Sequence, residues 1–152
     1  MAEYSTELAG ALERYFGMNR TPHTFDETAG IFRLSVPVEG KLRRIDTKIL
    51  CTEKAIMSST SLPVAAVPEA MEQTASLLMR LNNVINFGGF VLDMDTGEVR
   101  FRYSLDCDGQ LPSYDIIDHL ITLPAYVIGI YGDALVSVML GYAAAEDVLA
   151  DT

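Results

Sequence analysis

The side chains of this chain best suited to chemistry lie in a few short runs. Asp93-Met94-Asp95-Thr96-Gly97-Glu98 places two carboxylates as the start of a calcium loop would. Such a loop also needs Asp or Asn at its fifth place, Gly at its sixth and a distal Glu to close the shell. Here Gly arrives one place early and the distal glutamate is missing, so the run is expected to turn a hairpin. Asp106-Cys107-Asp108-Gly109 has the same character. His23 and His119 fall outside any H-E-x-x-H spacing, and the sequence places no carboxylate to orient either ring, so solvated or capping roles are expected. The hydroxyl run from Ser58 to Ser61 lacks a G-x-S-x-G or S-x-x-K context and reads as strand-edge serines. Cys51 and Cys107 are too few and too far apart for a disulfide framework or a C-x-x-C motif, and are expected to be inert apolar residues. These readings leave no catalytic residue, no metal site and no cofactor. Two basic groups could instead hold an anionic partner segment: Lys41, Arg43 and Arg44 in a hairpin, and Arg100 with Arg102 on one face of a strand. Arg100 and Arg102 are the candidate protein-binding pair, weighed against the plainer reading of a solvated sheet face.

Positioning these residues falls to a chain of 152 amino acids. It is most simply one domain, residues 1–152, able to bury roughly 68–70% of the surface its unfolded form exposes. Eleven basic against 21 acidic residues give a net charge of −10, which repels phosphate backbones and anionic lipid heads. Neither nucleic acid nor a membrane is an expected partner. The start lacks a basic n-region and an apolar h-region, so a cytoplasmic protein is expected. The longest hydrophobic stretch, Leu120 to Gly132, is shorter than the roughly 20 residues a spanning helix needs, and is expected to be a buried helix.

The periodicities predict an α+β fold. Ser5 can cap a first helix with Leu8, Leu12, Tyr15 and Phe16 on one face and Gly17 at its end. Thr21 to Thr24 reads as a connector. Phe32, Leu34 and Val36 alternate with polar residues as a strand up to Pro37, and Ile45, Thr47, Ile49 and Cys51 do so in the next. A third strand over Ala55 to Leu62 completes a three-stranded antiparallel meander, because connections this short cannot cross over. A second helix starts near Pro68, with Met71, Ala75, Leu78, Leu81 and Ile85 on one face, and Gly88-Gly89 breaks it. A two-stranded hairpin follows, its second strand alternating Val99, Phe101, Tyr103 and Leu105 with Arg100, Arg102 and Ser104. Ser113 can cap a C-terminal helical region that continues to about Leu149. Pro124 within it predicts a kink or a junction of two helices. From Leu120 to Tyr142 only Asp133 carries a charge, and a helix apolar on every side must be covered on every side. Gly129, Gly132 and Gly141 suit close helix approach, so a homodimer is expected, against a monomer whose own helices shield the third.

Leu77-Leu78-Met79-Arg80-Leu81-Asn82, Gly89-Phe90-Val91-Leu92-Asp93, Gly97 and Val99-Arg100-Phe101-Arg102 carry a resemblance to the YbjN-like family and, at greater distance, to the type III secretion chaperone-like fold. The resemblance spans about residues 5–145. It implies a small, acidic, bacterial interaction module, often dimeric and without known catalytic residues. The expected function is therefore non-enzymatic: a protein-interaction module that pairs with itself and binds another polypeptide, the client unknown, with chaperone-like or regulatory consequence. The alternative is a dedicated secretion chaperone holding an extended client segment, against which the long, apolar C-terminal region with Pro124 counts. A small-ligand sensor or enzyme using a cleft between sheet and helix is the third reading.

Overall fold

The structure, a computed structural model, describes residues 3–149. It is a mixed α+β fold. Helix α1 (Thr6–Asn19) opens on Ser5, whose side chain accepts from the Leu8 N–H at 3.2 Å. It runs past Gly17: Arg20 takes the left-handed conformation (φ 53°), and the N–H groups of Arg20 and Thr21 close the last turn on the Gly17 and Phe16 carbonyls. Six strands follow, β1 (Thr24–Asp26), β2 (Ile31–Pro37), β3 (Arg44–Cys51), β4 (Ala55–Ala65), β5 (Gly89–Leu92) and β6 (Glu98–Asp106). They form one antiparallel sheet in the order β1-β2-β3-β4-β6-β5. The meander is as expected. The additional strand, β1, begins at Thr24, the last residue of the stretch read as connector, and its three residues are too few to show a period of two.

A single 3-10 turn, Pro68–Ala70, leads into α2 (Met71–Val84). Helix α3 (Tyr114–Met139) is capped by Ser113, and α4 (Ala145–Leu149) closes the described chain. Pro124 does not divide α3, which stays one helix of 26 residues. Its ring is buried, so the packing of α3 offsets the hydrogen bond that the Leu120 carbonyl cannot receive. By length and composition α3 could cross a bilayer. Ten of its residues are nevertheless buried inside the molecule, among them Leu120, Val127, Ile128 and Leu135.

One face of the sheet faces the helices. Register places Phe32, Ile49, Ser58 and Tyr103 in one row and Leu34, Thr47, Thr60, Phe101 and Phe90 in the next, with Phe16 of α1 5.5 Å from Phe32. Two buried threonines of the sheet, Thr47 and Thr60, satisfy each other at 3.0 Å. β4 is a central strand, so its hydroxyl run does not lie on an edge. Ser58 and Thr60 point into the core, while Ser59 and Ser61 point outward.

The glycines of α3 have a different reason from the one expected. A Cβ at Gly129 would sit 3.5 Å from Glu39, and one at Gly132 would sit 2.9 Å from the Leu42 side chain. Both residues belong to the β2–β3 loop of the same chain, and Asp133 holds that loop by accepting from the Lys41 N–H at 3.2 and 3.3 Å. Gly141 lies after the helix at φ +84°. What approaches α3 closely at Gly129 and Gly132 is this loop, so these two glycines lend no support to a second helix.

Candidate functional site

Each run of chemically capable residues first meets a structural demand. The Asp93 carboxylate accepts from the main-chain N–H groups of Asp95 and Thr96, and Gly97 follows at φ +80°, so this run is the β5–β6 turn. Asp106 does the same for Asp108. Among the described residues no group of three or more His, Cys, Asp or Glu side chains is arranged to hold a metal. His23 differs from its expected setting. Its ring stacks on Phe16 at 4.5 Å, with Nε2 3.1 Å from Glu13 of α1 and Nδ1 2.9 Å from the Thr21 carbonyl. Glu13 is ten positions away in sequence, and only the return of the chain along α1 brings it to the ring. His119 is exposed on α3. Burial pushes the Cys51 thiol up to about 12 and also raises Cys107, which disfavours the thiolate that a nucleophile requires.

Tyr15 donates to Asp118 of α3, and Tyr114 donates to Asn19 at 2.7 Å, so two polar contacts tie α1 to α3. Burial, followed by the Asp118 contact, raises the Tyr15 phenol well above its ordinary range. Beside this seam lies an apolar groove of about 670 Å³. Leu34 and Val36 of β2 and Ile121, Ala125 and Gly129 of α3 line it, and Tyr126 and Ile130 stand on its rim. Those two rim side chains are 66% and 47% exposed, the most exposed of the large apolar residues of α3. Sequence reasoning did not find this groove. Its signal was Tyr126 and Ile130 at i and i+4, hidden in a helix apolar on all sides.

The opposite face of the sheet lies in solvent, and here the structure brings Arg100 and Arg102 together with residues from other strands. Register aligns Thr24, Arg33, Lys48, Ser59, Arg102 and Gly89 in one row across all six strands. The neighbouring row is Ser35, Asp46, Ser61, Arg100 and Val91. Every one of these side chains is exposed or half-exposed. Arg44 joins this face, donating to the Ser35 hydroxyl and carbonyl at 2.9 and 3.0 Å. Lys41 and Arg43 stay in the β2–β3 loop. Arg100 pairs with Glu98 at 3.2 Å. Among the described residues Arg33, Lys48 and Arg102 have no carboxylate within 4.0 Å.

No family model matches the sequence, and no curated protein matches it. Among solved structures, the fold is similar to that of YbjN from E. coli, which is described as a candidate transcription regulator. The likeness covers 86% of this chain and 87% of that one, with a TM-score of 0.58 and 18% identity. At that identity it shows the fold, and of the two likenesses the sequence carried it supports the one to YbjN.

Proposed function

We propose that this chain, built on the fold it shares with YbjN, is a non-enzymatic cytoplasmic protein-interaction module that docks an apolar helical segment in the groove between β2 and α3. The observation that carries this reading is the exposure of Tyr126 and Ile130 above a groove floored by aliphatic side chains. The groove follows α3 for about ten residues, or about 14 Å at 1.5 Å per residue, the length of two to three helical turns. Apolar anchors at helical spacing match such a trough.

Strand addition, the mode of an extended client on a secretion chaperone, is less favoured at this edge. β1 pairs only with residues 31–33 of β2, leaving 34–37 as an edge. On that edge Pro37 has no N–H to offer, and the Ser35 carbonyl already accepts from Arg44. A second copy of the chain, offering the same exposed stripe of its α3, is one partner of the required chemistry. A regulatory role, the class in which YbjN is described, would then work through contact with another protein, because a net charge of −10 opposes DNA.

Replacing Tyr126 by the photocrosslinker benzoylphenylalanine tests the reading. Irradiation in cells is expected to give a covalent adduct at twice the chain's mass or with another polypeptide, and Ile130→Asp is expected to abolish it. Light scattering of the same variants separates self-pairing from a client. A yield of polypeptide adducts no greater than from exposed Met94 would overturn the proposal. So would a rise of several degrees in melting temperature with a metabolite that blocks the crosslink, which would establish the small-ligand reading.

A further inference from the structure

We infer that the solvent-facing side of the sheet is a second docking surface, whose occupant is an acidic polypeptide segment interspersed with aliphatic residues. The inference is independent of the groove, which opens on the helix side.

Charge distribution is its starting point. The chain has nearly twice as many acidic as basic residues, yet Arg33, Arg44, Lys48, Arg100 and Arg102, five of its 11 basic residues, share this one face. Among the described residues, the one acid in these two rows is Asp46, and the adjoining Glu98 is engaged with Arg100. Arg33 and Lys48 are direct cross-strand partners. Like charges placed so are destabilising, and the obvious relief, an acid in the same row, is missing. Arg102 lies two strands from Lys48 across Ser59, so three strand spacings, about 14 Å, separate the ends of an uncompensated cationic row. That length matches an extended segment of four to five residues.

The chemistry of the occupant comes from what adjoins the cations. The next row along the sheet is Asp26, Ile31, Leu50, Met57 and Ser104: Ile31, Leu50 and Met57 at its centre are half-exposed, while the Asp26 carboxylate at the β1 edge accepts from the Thr28 and Ala29 N–H groups. An acidic peptide with aliphatic side chains satisfies both rows at once. A nucleic acid satisfies only the first, and its further phosphates would extend past the patch over a surface of opposite preference. A polypeptide is therefore the occupant argued here.

Fluorescence anisotropy with three labelled probes provides the test: a decapeptide alternating Glu and Leu, one alternating Glu and Ser, and a ten-nucleotide single-stranded DNA. The Glu/Leu peptide is expected to bind tightest, at least threefold tighter than the Glu/Ser peptide, and to weaken at least tenfold between 20 and 300 mM salt. The double variant Arg33→Glu, Arg102→Glu is expected to lose at least tenfold in affinity. Lys41→Glu, Arg43→Glu, with the same change of net charge in the loop, is expected to lose less than twofold. If the charge reversals unfold the sheet, Arg33→Gln, Arg102→Gln gives the same comparison with a milder change. Equal losses in face and loop variants, tighter binding of the DNA, or no peptide binding at 20 mM salt would each overturn the inference.

Discussion

Asn82 stands in for a strand neighbour that β5 lacks. Its side-chain amide accepts from the Phe90 N–H at 2.8 Å and donates to the Phe90 carbonyl at 3.0 Å, the same two-bond exchange an antiparallel partner makes. Gly89 faces that amide, where a Cβ would lie 3.3 Å from the Asn82 side-chain oxygen, and two further glycines let other main chain come close. A Cβ at Gly88 would lie 2.2 Å from the Arg102 carbonyl oxygen, and one at Gly97 would lie 2.4 Å from that of Ala66. This explains why the central block of the sequence is rich in Asn and Gly while offering no reactive group. Asn82→Ala is expected to destabilise the protein by about 1–2 kcal/mol, seen as a lower urea midpoint at unchanged slope. Asn82→Asp is expected to be no better, because a carboxylate cannot donate to the Phe90 carbonyl. At this scale the turn residues and both serine caps were legible, since each acts on main chain a few positions away. His23 was not, because its partner Glu13 depends on how α1 returns.

Helix α3 shows what changes at the scale of elements. Its composition demands cover on all sides, and the chain supplies much of that cover from the sheet, from α1 and α2, and from the β2–β3 loop seated on Gly129 and Gly132. A periodicity argument could identify the helix but not which element would meet its small residues, because a loop and a helix both reward a missing side chain. Gly132→Leu is expected to push Leu42 and the loop outward, costing about 1–3 kcal/mol in denaturant melts. Oligomeric state should not respond, since this residue faces a loop of its own chain. A change in molecular mass of that variant would instead place Gly132 in a contact between copies. Pro124 teaches a related lesson: a proline predicts a lost hydrogen bond, and whether the helix breaks depends on the packing around it.

Across the whole molecule, the sheet separates two surfaces of opposite character. The helix side holds the core and the apolar groove, and the other side gathers cations in a molecule that is acidic in sum. An acidic surface repels itself, and salt screens that repulsion within about 10 Å at 0.1 M. The thermal midpoint is therefore expected to rise by several degrees between 10 and 150 mM NaCl, as read by circular dichroism. Reversing Arg102 to Glu should steepen that rise, because it adds charge of the majority sign. A flat or falling dependence would mean that the cationic row already balances the field of the surrounding carboxylates.

The order of the three long helices and of strands β2 to β6, the buried faces of β2, β3 and β6 and the turn chemistry were determined by sequence, because periodicity and glycine conformation act over one or two turns of chain. Tertiary structure alone decided which rows align. Arg33, Lys48 and Arg102 stand 15 and 54 positions apart and meet only through strand register, and the groove exists only where β1 ends short beside α3. Both candidate surfaces are products of long-range pairing, whose free energy is shared among many residues and is written in no short stretch of the chain.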